Sequence, residues 1–296
     1  MELVWLEDFN ALAEHGSFVR AAEARHITQP AFSRRIRSLE QWMGVKLFVR
    51  TPQGTTLTEA GSHIQVHAFE AIGRLYRLRA EAQEVAGKAA KTLQFAATHS
   101  LSFSFFPRWI RRIENGAPIE AIQLHSDSML GCEQLLVQGE VPFLLCHLHP
   151  EVPSPLIQDQ FVSQKVGDDT LIALVASSLL GTHAPNQLPY LAYTEASGLG
   201  RIVAHRLYGS RDVLALKAQF SSHLAAVLMS MALEGKGVAW LPKSLAEQEI
   251  RDGRLVRVLD PCWDIDMQIH LVRPRTSLSP AAENFWTRVA DLSADV

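Results

Sequence analysis

The chain has 296 residues, 47% of them apolar, and 28 Lys and Arg against 31 Asp and Glu give a formal net charge of −3. That length and apolar share support more than one buried core and exclude a disordered or low-complexity chain. No apolar run approaches the ~18 residues needed to span a bilayer, and Glu2, Glu7 and Asp8 stand where a secretory leader would carry Lys or Arg, so a cytoplasmic protein with no membrane partner is expected.

From the N-terminus, MELVWLEDFNALAEHG has helical spacing of its apolar residues. Ser17 can cap a short helix carrying Ala21, Ala22 and Ala24, and eleven residues on Thr28 can cap another with Pro30 in its first turn. Small alanines let two helices cross closely. Phe32, Ile36 and Leu39 give the second helix an apolar face, and its other face carries Gln29, Ser33, Arg34 and Arg37. Between Arg25 and Arg50 there are six Lys or Arg (Arg25, Arg34, Arg35, Arg37, Lys46, Arg50) against Glu40 alone, net +5 in an acidic chain. Such a patch attracts the phosphate backbone, and Gln and Arg on a helix that fits the major groove can read base edges. After Gly44, Val45, Leu47 and Val49 alternate with Lys46 and Arg50, and a Thr-Pro-Gln-Gly-Thr turn leads to Thr56–Thr58. This predicts a hairpin whose base carries Arg50 and Thr51, a wing beside the recognition helix.

Apolar residues at Ile64, Ala68, Ala71, Leu75, Leu78, Ala82 and Val85 keep a 4-3-4-3 spacing between charged flanks, which predicts a helix that pairs two copies of the chain. GKAAK at 87–91 reads as a hinge, after which strands and helices alternate. Strands are expected at 93–98, 119–124 and 141–146, with helices at 102–114 and 129–138. Beyond the Pro-rich 149–155 crossing come strands near 170–176, 190–193 and 214–220, and helices from Gly198 and over 223–234. Returning strands at 237–241 and 267–273 and a helix over 280–292 close the chain. This rhythm argues α/β lobes with a parallel sheet and helices on its faces. Ligands in such sheets sit beyond the carboxyl ends of the strands, and those ends are hydroxyl-rich here. They comprise Thr98, His99, Ser100 and Ser102; His125, Ser126, Asp127 and Ser128; Cys146 and His147; and Thr194 with Ser197. Ser and Thr at helix starts also serve as plain caps, and histidines there as polar lip residues.

The stretch SFVRAAEARHITQPAFSRRIRSLEQWMGVKLFVRTPQGTTLTEAG resembles the N-terminal signature of the LysR-type transcriptional regulators: alanine pair, Thr-Gln-Pro, Ser33, Ile36/Leu39/Glu40, Leu47-Phe48, and Leu57-Thr58 before a Gly. The resemblance implies a winged helix-turn-helix over residues 1–58, a linker and dimerisation helix with hinge over 59–90, and a two-lobed, periplasmic-binding-protein-like α/β effector domain over 91–296 with its second lobe at about 162–267. It implies operator DNA as partner, a homodimer with antiparallel linker helices assembling to a homotetramer, and a small-molecule effector. Thr28, Gln29, Pro30, Ser33, Arg34, Arg35, Arg37, Arg50 and Thr51 fall on its DNA-binding positions. The effector would lie among Thr98, His99, Ser100, Ser102, Ser128, Cys146, His147, Thr194 and Ser197, with Ser100, Ser102, Thr194 and Ser197 facing one cleft.

Within that family the segments TQPAFSRRIRSLEQ, AATHSLSFSFFP (96–107) and GKGVAWLPKSLAEQEIRDGRLV (235–256) are similar to the hypochlorite-responsive group. Oxidant sensing through Met or Cys is thus the alternative to an organic anion, yet that group's methionine positions fall on Leu199 and Leu224 here, which cannot be oxidised. Cys132, Cys146 and Cys262 are widely spaced with no C-x-x-C pair, so neither a disulfide framework nor a metal is expected. No G-x-S-x-G, P-loop, H-E-x-x-H or dinucleotide fingerprint is present, and neither an enzyme nor a cofactor is expected. Residues 91–296 carry 17 basic against 21 acidic side chains, so this half offers no second nucleic-acid surface.

Overall fold

The computed structural model describes residues 1–52, 54–85, 92–114, 118–119, 121–154, 156, 160–181, 188–207 and 217–294. The expected 87–91 hinge lies outside them, as does the first part of the expected 214–220 strand. The chain divides into two compact units, residues 1–89 with 137–140 and residues 90–136 with 141–296.

In the first unit, α1 (Leu3–His15), α2 (Phe18–Ala24) and α3 (Gln29–Met43) precede a hairpin of β1 (Phe48–Thr51) and β2 (Gly54–Leu57), and α4 (Glu59–Val85) follows. Phe9, Leu12, Phe32, Leu39 and Leu47 are fully buried at its centre, where Ala21 and Ala22 bring α2 close. Ser17 and Thr28 hold the extended N-cap conformation, but neither hydroxyl makes a capping bond. Helix entry rests on Pro30 and on the buried faces instead. The alternation expected from Val45 to Val49 holds only at Leu47, since Val45 and Val49 are exposed. Gly54 needs its glycine: φ is 139°, and a Cβ there would stand 2.7 Å from the Gly16 carbonyl oxygen. α4 packs unevenly along its length. Ala68 and Ile72 are buried in the core of this unit, whereas Leu75 and Leu78 one and two turns on are 44% and 63% exposed.

The second unit is built on a mixed seven-stranded sheet. β3 (Thr92–Thr98) lies parallel to both β4 (Ala121–Asp127) and β5 (Phe143–Leu148). β11 (Ile265–Pro274) runs antiparallel between β5 and the 16-residue β6 (Phe161–Ala176). The far end of β6 leaves this first lobe and pairs with β9 (Ala239–Pro242) and β10 (Leu255–Arg257) in the second, where β7 (Tyr190–Tyr193) and β8 (Ala218–Ser222) form a parallel pair. The first lobe carries α5 (His99–Ser104), α6 (Phe106–Ile113), α7 (Met129–Val137) and α11 (Pro280–Ala294); the second carries α8 (Gly198–Leu207), α9 (Ala225–Leu233) and α10 (Lys243–Arg251). All six residues of β5 are buried, as befits a central strand covered on both faces.

Two of the differences from the expected elements have local causes. The single helix over 102–114 is broken at Phe105, because Pro107 lacks an N–H and disfavours helical geometry in the residue before it. The strand expected at 119–124 runs instead to Asp127, held in register by β3, which pairs Thr98 with Asp127.

Candidate functional site

On the first unit, Thr28, Gln29 and Pro30 are exposed at the start of α3, and Arg34 and Arg37 are exposed on the same helix. Ser33 is buried, and its Oγ accepts a hydrogen bond from Gln29 Nε2 at 2.8 Å, so it orients Gln29 rather than standing free. Folding also changes the charge of the patch. Arg25 donates to Glu7 at 2.5 Å and to the fully buried Asp8 at 2.9 Å, and Arg35 reaches Asp8 at 3.4 Å. Lys46 meets Glu40 at 2.7 Å. Six cations therefore face three carboxylates, two of them brought in from α1. Arg34, Arg37 and Arg50 make no ion pair among the described residues. Arg50 lies over the Phe18 ring at 5.7 Å, and Thr51 Oγ1 closes the wing turn by donating to Gly54 O at 3.2 Å. A groove between α3 and the wing is bordered by Arg37 and Arg50.

Glu40 sets the angle between helix and wing. Its Oε1 accepts the backbone N–H groups of Leu47 (3.0 Å) and Phe48 (3.3 Å), although only 8% of the residue is exposed. Thr58 Oγ1 donates to Lys46 O and accepts from Gly61 N, where any Cβ would collide with the Leu47 carbonyl at 2.2 Å. On the far side of the core Tyr76 of α4 donates to Glu7 at 2.5 Å; that bond, with burial, pushes its phenol up to about 12.

In the second unit, strand ends from both lobes converge on one small cleft. Thr98, His99, Ser100, Asp127, Ser128, Met129 and His147 line it from the first lobe, and Ser197, Gly198, Leu199, His223 and Ala225 from the second. Six of the nine expected effector residues are thus brought together, and three are placed elsewhere. Ser102 turns to Ser126 at 2.7 Å and to Thr98 O at 3.0 Å. Thr194 closes a turn, its N–H donating to Ser222 O and its carbonyl accepting from Ser197 N. Cys146 is fully buried in the core with Ala96, Met129 and Cys132, because neighbours along a strand face opposite ways and His147 takes the cleft side. Ser128 and Ser197 do cap α7 and α8, accepting from Gly131 N and Gly200 N at 3.2 Å each. Thr98 Oγ1 is buried at the cleft without a hydrogen-bond partner among the described residues.

Behind the cleft, His147 Nε2 lies 3.4 Å from Asp169, which also accepts from Ser244 Oγ at 2.5 Å and Ser244 N at 3.1 Å. Burial pushes the Asp169 carboxyl up, but His147 and Ser244 outweigh it and hold it below the usual range. Arg201 of α8 crosses the lobes to Glu133 of α7 in a two-toothed pair at 2.7 and 2.9 Å. His223 was not singled out from sequence; its signal, a histidine closing a strand-to-helix turn, is the one that found His99. Among the described residues no cluster of His, Cys, Asp or Glu could hold a metal, and no helix is long and apolar enough to cross a membrane. Burial raises the Cys132 thiol to about 12 and lifts Cys146 well above its ordinary value, while Asp260 raises that of the exposed Cys262.

Comparison with known proteins decides the family. The bacterial regulatory helix-turn-helix protein, lysR family, matches residues 3–62, and the LysR substrate binding domain matches residues 86–294. The chain belongs to the LysR family of transcriptional regulators. It is 30% identical to the HTH-type transcriptional regulator YjiE of Escherichia coli K12, over 99% of this chain and 95% of the relative. The full-length structure of HypT from Salmonella typhimurium, a hypochlorite-specific LysR-type regulator, is 29% identical over the whole of both chains with a TM-score of 0.60. DarR of Vibrio fischeri, solved in complex with DNA, is 26% identical over 99% of both chains with a TM-score of 0.56. The winged helix-turn-helix and the two-lobed α/β domain expected from the sequence are those of this family, whose members are regulators of transcription.

Proposed function

We propose that this LysR-family regulator acts in the cytoplasm as a homodimer that assembles to a homotetramer, and that a small acidic molecule in the inter-lobe cleft modulates its grip on operator DNA. Thr28, Gln29, Pro30, Arg34 and Arg37 would meet the major groove, with Ser33 orienting Gln29 and Arg35 bracing the helix through Asp8. Arg50 and Thr51 would lie on the backbone beside it. The observation that carries the effector reading is the convergence of Thr98, Ser100, Ser128 and Ser197, with the starts of α7 and α8, on one cleft where Thr98 Oγ1 is buried without a partner. A buried hydroxyl left unpaired costs about 1–3 kcal/mol, and a guest that bonds to it removes that cost. An oxidant signal is the weaker reading, since thiols raised by burial lack the thiolate that oxidants attack. HypT is hypochlorite-specific, but that property is its own.

The test is selection of bound sites from a random DNA pool, followed by affinity at fixed salt. Arg34→Ala should weaken the selected site by roughly 1–3 kcal/mol relative to random DNA. Arg50→Ala should weaken both alike and make the salt slope shallower by about one unit. A pool without an enriched site, or an Arg34→Ala protein with unchanged preference, would overturn the assignment of α3.

A further inference from the structure

We propose that the cleft takes up its small anion together with a proton, and that His99 and His223, which face each other from the two lobes, are the side chains that hold it. This rests on the acidic-effector reading above and names the chemistry by which it works. The two rings stand 5.9 Å apart between centroids, tilted by 46°. His99 Nδ1 is engaged with Ser126 Oγ at 2.9 Å, and its Nε2 makes no hydrogen bond among the described residues. One carboxylate or oxyanion between the rings can reach a nitrogen on each through hydrogen bonds of about 2.8 Å.

The charges around the cleft are why the proton is needed. Among the described residues no Lys or Arg lines it. The titratable groups facing the pair are Asp127 at the end of β4, His147 on β5 and Asp169 of β6 behind it. His147 Nε2 stands 3.4 Å from Asp169, so that ring already has a partner behind the cleft. With His99 and His223 neutral, the fixed charges of the walls are carboxylates, and an anion entering alone would be repelled. The starts of α7 and α8 offset this in part, since a helix N-terminus carries about half a positive charge. Burial and the neighbouring His223 hold the His99 imidazole below its ordinary value against the pull of Asp127. An anion placed between the rings reverses the sign of that interaction and favours the imidazolium. Binding and protonation are then one linked event.

Isothermal titration calorimetry of the full chain against oxalate, malonate, succinate, benzoate and phosphate, in pairs of buffers of unlike ionisation enthalpy, measures protons taken up per anion bound. A binder should take up protons, approaching one per anion, and its affinity should fall by up to about tenfold per pH unit as pH rises. His99→Gln and His223→Gln should each reduce that uptake, whereas His125→Gln, outside the cleft, should keep it. Binding without uptake, binding that tightens as pH rises, or uptake that survives both cleft variants overturns the inference and leaves the acidic-effector reading standing. A panel in which nothing binds at pH 6 or pH 8 removes that reading and this inference with it.

Discussion

Replacing Glu40 by Ala and by Gln separates two roles of one side chain. In the wild type Oε1 accepts two backbone N–H groups at the base of the wing, and Oε2 meets the exposed Lys46. Alanine leaves both N–H groups without an acceptor next to the fully buried Leu47. Hydrogen bonds to a charged group contribute roughly 1.5–3 kcal/mol each, and part of that returns if water reaches Phe48, so a loss of about 3 kcal/mol is expected. Glutamine keeps the acceptor and gives up mainly the pair with a lysine 74% exposed, which contributes about 0–1 kcal/mol. Hydrogen exchange of the 45–58 segment in the full chain reads the difference directly. Protection should drop by about two orders of magnitude in Glu40→Ala and only a few-fold in Glu40→Gln. Equal protection in the two variants would show that the carboxylate does not hold the wing.

Leu75→Asp combined with Leu78→Asp should dissociate the proposed dimer, because each leucine buried against a partner would contribute about 1.5–3 kcal/mol and aspartate reverses the gain. An unchanged mass by sedimentation at micromolar concentration would make α4 a helix of its own domain alone. Tyr76 holds its proton more tightly folded than unfolded, with a folded value of about 12 against 10.0, so its contribution is complete below pH ~10 and lost as pH rises towards 12. Tyr76→Phe should flatten the loss of urea stability of this unit above pH ~10, and an alkaline limb identical to wild type would remove the Glu7 bond as its cause. Asp169 has a lowered folded-state value, so its contribution is present above pH ~4 and lost as pH falls further; Asp169→Asn should flatten that acid limb, and an unaltered limb would exclude it.

The helix-turn-helix was legible because its signals are local: apolar spacing, Pro30, and a turn rich in Gly and Thr. The same local reading overstated the charge of the patch, since Glu7 and Asp8 reach Arg25 from 18 and 17 residues upstream and only folding reveals the pairing. The cleft was legible as a set of strand ends, and it was misread where parity mattered. Cys146 and His147 are neighbours on β5, and alternation alone forbids both from facing the same cavity. β6 was expected only at its apolar end, Thr170–Ala176. The polar first half, with Gln164, Lys165, Asp168 and Asp169, is ordered by its neighbour β11 rather than by its own composition.

That ladder also governs how the two lobes can move. A swivel made of loose chain lets lobes swing through large angles at little cost, whereas here the connection is a ribbon of two strands bonded along ten residue pairs. Opening the cleft must bend that ribbon, so the restoring force grows with angle and large excursions would break ladder bonds one after another. Compliance is concentrated at the irregularity beside Ile269 and His270, where the register slips and Gly167 packs its bare backbone against Phe105. A guest of the kind proposed for the cleft would therefore work against a stiff spring, and a change of a few degrees would already store elastic strain in the ribbon.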